Sequence, residues 1–329
     1  MRSVMVTGAT VVSSQTTSTR AANLLASFII IPMTMLILGE STIMFLAPDA
    51  ESPSGIGALW AIIIGEIVIV ILLLRVGNSS FNREELLGRT IDELNLRGTL
   101  RGIWRNVRAV DARGTPARSL GEWYRRGITL SLRRLGLAPA VAMLVFAAAF
   151  AGGFIVGHMP EWQLHLSANA SLSDTAHLLG RYLTLPMETG TLFFIIWQNG
   201  RILLAGAILS MFTFGTASLI FTPAVYFVLG YIFSQVVMAG ISPAFLIAGI
   251  LPHGIIEIPV IVLSAAISLR LGAIVTRPPR GMTVGQAWSM AFGDMVKLAL
   301  GVIIPGLALA AFIEAVITPR VVVAVLGGG

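Results

Sequence analysis

Residues 244–268 read AFLIAGILPHGIIEIPVIVLSAAIS. A helix rises about 1.5 Å per residue, and crossing the hydrocarbon core of a bilayer takes about 20 apolar residues. This stretch is long enough to cross and too apolar to remain in water. It also carries three residues that a plain membrane helix avoids. Pro252 and Pro259 each lack a backbone donor, and Gly254 lies between them, so freed carbonyls must find partners in protein or water. His253 and Glu257 are four residues apart and share a helical face. An ionisable side chain in lipid is costly, which makes this helix-break segment a candidate site.

Outward from here the chain repeats the pattern. Stretches 24–46, 56–74, 138–156, 191–214, 217–238 and 296–316 are equally long and apolar, predicting seven spans in all. The fourth, 191–214, could run along the interface from Glu188 to Asn199 before diving at Gly200. The composition agrees: of 329 residues, 56% are hydrophobic and 12% charged, where a soluble domain carries about 25% charged. With no cysteine, thiolate metal sites, iron–sulfur clusters and cysteine nucleophiles are excluded. The first apolar stretch follows about 20 polar residues and exceeds the roughly 7–15 residues of a signal-peptide core, so it reads as a retained span.

Of 22 basic residues all but Lys297 are arginine, and the net charge is +6. Bilayer asymmetry accounts for this charge more simply than nucleic-acid binding. Twelve arginines against six acids lie between Asn78 and Pro139, which places that stretch in the cytoplasm by the positive-inside rule. Alternation then puts Arg270, Arg277, Arg280 and Lys297 on the same side, for a chain in the cell (inner or plasma) membrane with its N-terminus in the cytoplasm and its C-terminus outside. The expected organisation is an all-α, multi-pass membrane helix bundle. Residues 1–77 form a polar tail and a two-helix hairpin, 78–136 a cytoplasmic amphipathic connector, and 137–329 a five-helix membrane domain.

Within the connector, Leu96, Leu100, Ile103 and Val107 fall on one helical face and Arg97, Arg101, Arg105 and Arg108 on another. Such a helix either lies on the anionic inner leaflet or offers a docking face to a cytoplasmic partner such as a nucleotide-driven motor. Asn82 with Glu85, and Ser119 with Glu122, have capping-box spacing. The chain has no P-loop signature, so nucleotide hydrolysis would have to come from another subunit.

Inside the membrane the notable groups are Glu66, Arg201, His253 and Glu257. The bland expectation pairs Glu257 with Arg201 across two helices and lets His253 satisfy carbonyls freed by the prolines. A second reading carries ions or protons through His253, Glu257 and Glu66. A third, an intramembrane metalloprotease, lacks a ready ligand set, since the other histidines (His158, His165 and His177) lie in or beside an outer loop. Those three could bind metal or haem, but solvated loop residues explain them as well; no metal, cofactor or catalytic residue is assigned. Gly153 with Gly157, and Ser264, Ser268 and Gly272, repeat at four-residue spacing and mark close helix contact, within one chain or in an oligomer.

The segment Leu251-Pro252-His253-Gly254-Ile255-Ile256-Glu257-Ile258-Pro259, continued by Leu269-Arg270-Leu271-Gly272, resembles the signature of the stage II sporulation protein M family. Asn199-Gly200, Ala310-Ala311-Phe312-Ile313-Glu314-Ala315 and Thr318-Pro319 extend the resemblance over about residues 139–320. It implies a multi-pass inner-membrane protein without established catalytic activity, similar in role to scaffolds that assemble cell-wall-remodelling membrane partners. Separately, Asn78-Ser79-Ser80-Phe81-Asn82-Arg83-Glu84-Glu85-Leu86-Leu87 after two spans resembles the tail of an ABC-2 type export permease, which implies a cytoplasmic ATPase partner. The combined expectation is a non-enzymatic scaffold or permease-like subunit of an ABC-type export or cell-envelope complex.

Overall fold

A computed structural model describes Ile64 and residues 96–163, 189–240 and 243–326. The expected spans at 24–46 and 56–74, the Asn82 cap, Glu66, His165 and His177 lie outside the described residues. Five helical stretches are long and apolar enough to cross a membrane: Ala138–Gly157, Leu192–Phe212, Thr216–Met238, Leu246–Thr276 and Val284–Val325. They answer to the five expected spans from residue 138 onward.

The described part of the connector begins with α1 (Leu96–Arg108). A turn follows in which Val110 N–H donates to the Thr115 carbonyl (2.9 Å) and Ala117 N–H to the Arg108 carbonyl (2.9 Å), closed by a single antiparallel bridge between Ala109 and Pro116. Asp111 Oδ1 accepts from the Arg113 and Thr115 amides, both at 3.0 Å. Bonds from Thr115, by side chain and backbone, hold the Asp111 carboxyl below its ordinary value. A depressed carboxyl stabilises the folded turn above its unfolded pKa and gives that up as pH falls through the folded value. The Thr115 amide resonance should therefore titrate with a midpoint below the usual aspartate range; an ordinary midpoint would show the bonds absent.

The second helix, α2, comprises Leu120–Glu122, a π-helical turn Trp123–Ile128 and Thr129–Arg134. Ser119 caps it as the spacing predicted, accepting from Glu122 N–H at 3.2 Å, while the Glu122 carboxylate accepts from Arg118 N–H at 2.9 Å. The membrane-capable helices are α3 (Ala138–Gly157), α4 (Thr189–Phe212), α5 (Phe221–Met238) and α6 (Ala244–Ala273), followed by α7 (Val284–Leu298). A π-helical turn, Ala299–Ile303, joins α7 to α8 (Ile304–Val316), and α9 (Thr318–Leu326) closes the described chain. The α4 helix runs unbroken through Gly200, without the change of direction expected there.

Helix α6 is the axis of the bundle: 56% of its most apolar window is buried, against 17–28% for the others. Val260 and Ile267 pack with Leu203, Leu298, Ile303 and Leu307, while Val262, Ala265 and Ala266 pack with Ala142 and Phe146. The small residues noted in the sequence work within the chain. A Cβ on Gly153 would overlap the Phe227 carbonyl, and one on Gly230 the Phe150 carbonyl, so α3 and α5 touch backbone to backbone. Gly272 does the same against Ser210 and Gly215, beside the buried Ser264 and Ser268.

Two expectations shift. The last membrane-capable stretch starts at Val284 rather than 296. Its start is fixed by a capping box in which Thr283 Oγ1 accepts from Gln286 N–H (3.2 Å) and Gln286 Oε1 accepts from Thr283 N–H (3.1 Å). In α1 the inward face is Ile103, Asn106 and Val107, packed on α7 where Gly293 leaves room, whereas Leu100 is 65% exposed. Leu100 precedes Ile103 by three positions, about 300° of turn, and the close approach to Gly293 centres the contact nearer the helix C-terminus.

Candidate functional site

Two polar clusters are built into the apolar bundle. The first centres on the helix-break segment, where Pro252 and Pro259 lie inside an otherwise continuous α6. His253 Nε2 stands 3.8 Å from Glu257 Oε2 on the face that their spacing predicted, with side chains only 13% and 15% exposed. His253 Nδ1 also lies 3.2 Å from Thr318 Oγ1, at the start of α9. On the far side of Glu257, Asn199 Nδ2 donates to Oε1 at 2.5 Å. Glu314 on α8 and Tyr226 on α5 lie within electrostatic reach of Glu257. Side chains of three helices, α4, α5 and α8, thus gather around this carboxylate of α6.

The expected Glu257–Arg201 pair is not formed: Arg201 is exposed, and Asn199 occupies the position facing Glu257. The cause is helical period, because residues two apart point about 200° away from each other. Nor does His253 serve freed carbonyls, since its ring nitrogens face Thr318 and Glu257 instead. Asn199, Glu314, Tyr226 and Thr318 were not selected from the sequence as site residues, although three of them fall in segments that carried the family resemblance. A double-mutant cycle checks this geometry. Asn199→Ala and Glu257→Gln should couple by about 1 kcal/mol in thermal stability, whereas Arg201→Gln and Glu257→Gln should add. Coupling to Arg201 instead of Asn199 would reverse the assignment.

The second cluster sits where the connector meets the bundle. Asp294 on α7 is 1% exposed and accepts from Ser131 Oγ at 2.6 Å and from Arg134 Nη1 at 3.3 Å. Lys297, one turn further on, is fully buried and donates to the Ala109 carbonyl at 2.7 Å. Trp123 Nε1 donates to the Val107 carbonyl at 2.7 Å, so α1, α2 and α7 are tied at three points. The signal for this cluster lies in the sequence: Lys297 is the single lysine, and Asp294 the only acid between Glu257 and Glu314. A compact ammonium reaches one buried carbonyl where a guanidinium fork would not fit as readily.

The arginines of α1 (Arg97, Arg101, Arg105 and Arg108) all face outward, beside Leu100 and Trp104 at 65% and 60% exposure. At the opposite end, His158 Nδ1 lies 2.8 Å from the Phe154 carbonyl and 2.9 Å from Ser234 Oγ. Among the described residues no group of three or more histidine, aspartate or glutamate side chains is placed to hold a metal ion.

Comparison with known proteins gives one result. The family model described as stage II sporulation protein M matches residues 141–319, more than half the chain and nearly all of the five helical stretches. No curated protein and no solved structure matches.

Proposed function

Because the chain belongs to the stage II sporulation protein M family, we propose that it is a non-enzymatic membrane subunit. It would act as a scaffold or permease-like component of an ABC-type export or cell-envelope complex in the cell membrane. The observation that carries the reading is how α1 is mounted. Its inward side is consumed by α7 and locked through Lys297 and Trp123, while four arginines remain outward on a rigid support. A helix that merely floated on lipid would need no such anchoring. A positively charged face fixed to the last membrane helices transmits movement between a cytoplasmic partner and the bundle. With no P-loop in the sequence, that partner would supply any nucleotide hydrolysis.

The test is a pull-down of the tagged full chain in mild detergent. A nucleotide-binding subunit should co-purify, and replacing Arg97, Arg101, Arg105 and Arg108 together by Gln should reduce its recovery about tenfold or more with thermal stability unchanged. A cell-wall hydrolase in its place would favour the scaffold branch over export. Unchanged recovery with the quadruple variant would remove α1 as the docking face.

The Glu257–Glu314 neighbourhood favours a second reading, an ion- or proton-coupled transporter using Glu257 and Glu66. It requires that Glu257→Gln abolish flux in proteoliposomes while the protein stays folded.

A further inference from the structure

Among the described residues, the polar cluster at the connector gathers more cations than carboxylates. Asp294 is the only carboxylate, among the described residues, whose charge reaches Arg270 and Lys297, and it already accepts from Arg134. Among the described residues three cations therefore share one anion. One donor is idle: Arg270 Nε is buried without a hydrogen-bond partner, one of two such side-chain atoms among the described residues. A buried guanidinium nitrogen left unsatisfied costs free energy, and a cationic group left uncompensated costs more.

The place of the cluster suggests what completes it. Arg134 lies four residues before Ala138, the first residue of a membrane-capable helix. Leu246–Thr276 has 31 residues, about 46 Å of helix against about 30 Å of hydrocarbon, so its Arg270 end reaches the headgroup layer. The Arg134 side chain is 17% exposed, and Leu137, just past the end of α2, is 80% exposed. Guanidinium forks match phosphate oxygens, and basic pockets between membrane helices hold anionic headgroups.

We propose that Arg134 and Arg270, backed by Lys297, form a binding site for a phosphate group at the membrane surface. The exposed Leu137 makes a phospholipid headgroup the natural source, with its acyl chains on that apolar side. A free phosphate would supply the same oxygens without that contact. Bound there, the anion would fasten α2 to α6 and α7 and make the stability of the connector depend on it.

The experiment uses the full chain in mild detergent with phosphatidylglycerol, phosphatidylcholine or inorganic phosphate added separately, read by native mass spectrometry and thermal midpoint. The wild type should retain phosphatidylglycerol in preference to phosphatidylcholine and gain stability from it. Arg270→Gln should lower that retention about tenfold, the worth of one charge-assisted contact, and Arg134→Gln similarly. The exposed Arg280→Gln should retain lipid as the wild type does. Stabilisation by inorganic phosphate alone, lost in Arg270→Gln, would keep the site and assign it a soluble source. Equal retention of the two lipids with no phosphate effect, or equal loss from Arg280→Gln, would overturn the proposal. Should Arg270→Gln fold poorly, the lipid preference of the unmodified protein still decides, with Arg270→Lys expected to fall between wild type and Gln.

Discussion

Replacing Asp294 by Ala should destabilise the protein by about 3–5 kcal/mol, the cost of stripping a buried ion cluster of one sign. Asp294 is 1% exposed and Lys297 fully buried, so water cannot take over the missing charge. The loss has three parts. Ser131 Oγ loses its acceptor at 2.6 Å, Arg134 loses both carboxylate oxygens at 3.3 and 3.4 Å, and the charges of Arg270 and Lys297 go unopposed. Asp294→Asn keeps an acceptor for Ser131 and separates the first part from the other two. If charge dominates, Asn should recover little. A joint Asp294→Ala and Lys297→Met change should recover part of the loss, because it removes one stranded cation and fills its space with an apolar chain of similar length. Thermal midpoints in detergent measure all four proteins. An Asp294→Ala variant within about 1 kcal/mol of wild type would mean that the cluster is solvated or loosely packed, contrary to the burial of both residues.

What could be seen in the sequence followed the physics of transfer into lipid. Five runs of about 20 apolar residues are unambiguous because a bilayer leaves few alternatives. The cap at Ser119 was legible because its side chain bonds its own helix, whereas the same signal at Thr283 was passed over. The true start of α7 was hidden because residues 284–295 mix Gln286, Trp288 and Asp294 among apolar positions, and hydropathy discounts such a stretch. The Thr283–Gln286 pair marked it all the same.

Partner choice inside the membrane was less legible. Charge alone suggests Arg201 for Glu257, yet about 200° of helical turn separates Arg201 from Asn199, and only the second faces α6. A span read as hydropathy has no phase; the packing of α4 on α6 supplies it. The same holds for the connector, where Ile103 and Val107 were correctly grouped, but the neighbour they pack on could not be read before Gly293 was seen to admit α1.

Phase also governs the contact between α3 and α5, where adjacent glycines should respond in opposite ways. Gly153→Ala should destabilise by about 3 kcal/mol, at the upper end for overpacking, since the added methyl overlaps the Phe227 carbonyl and lies 3.0 Å from the Tyr231 nitrogen. Both are backbone atoms that no rotamer change can move, so the helices must separate along a contact that Gly230 and Gly157 also need. Gly152→Ala places its methyl 3.6 Å from the Phe227 ring, an ordinary van der Waals distance. It should be neutral or stabilising by up to about 1 kcal/mol through helix propensity. Composition and hydropathy are the same for the two variants, so any difference between their thermal midpoints reports the register of one helix on another. If both fell equally, α3 would be packed through general crowding rather than through a glycine seam. If neither fell, the backbone contact itself would be absent.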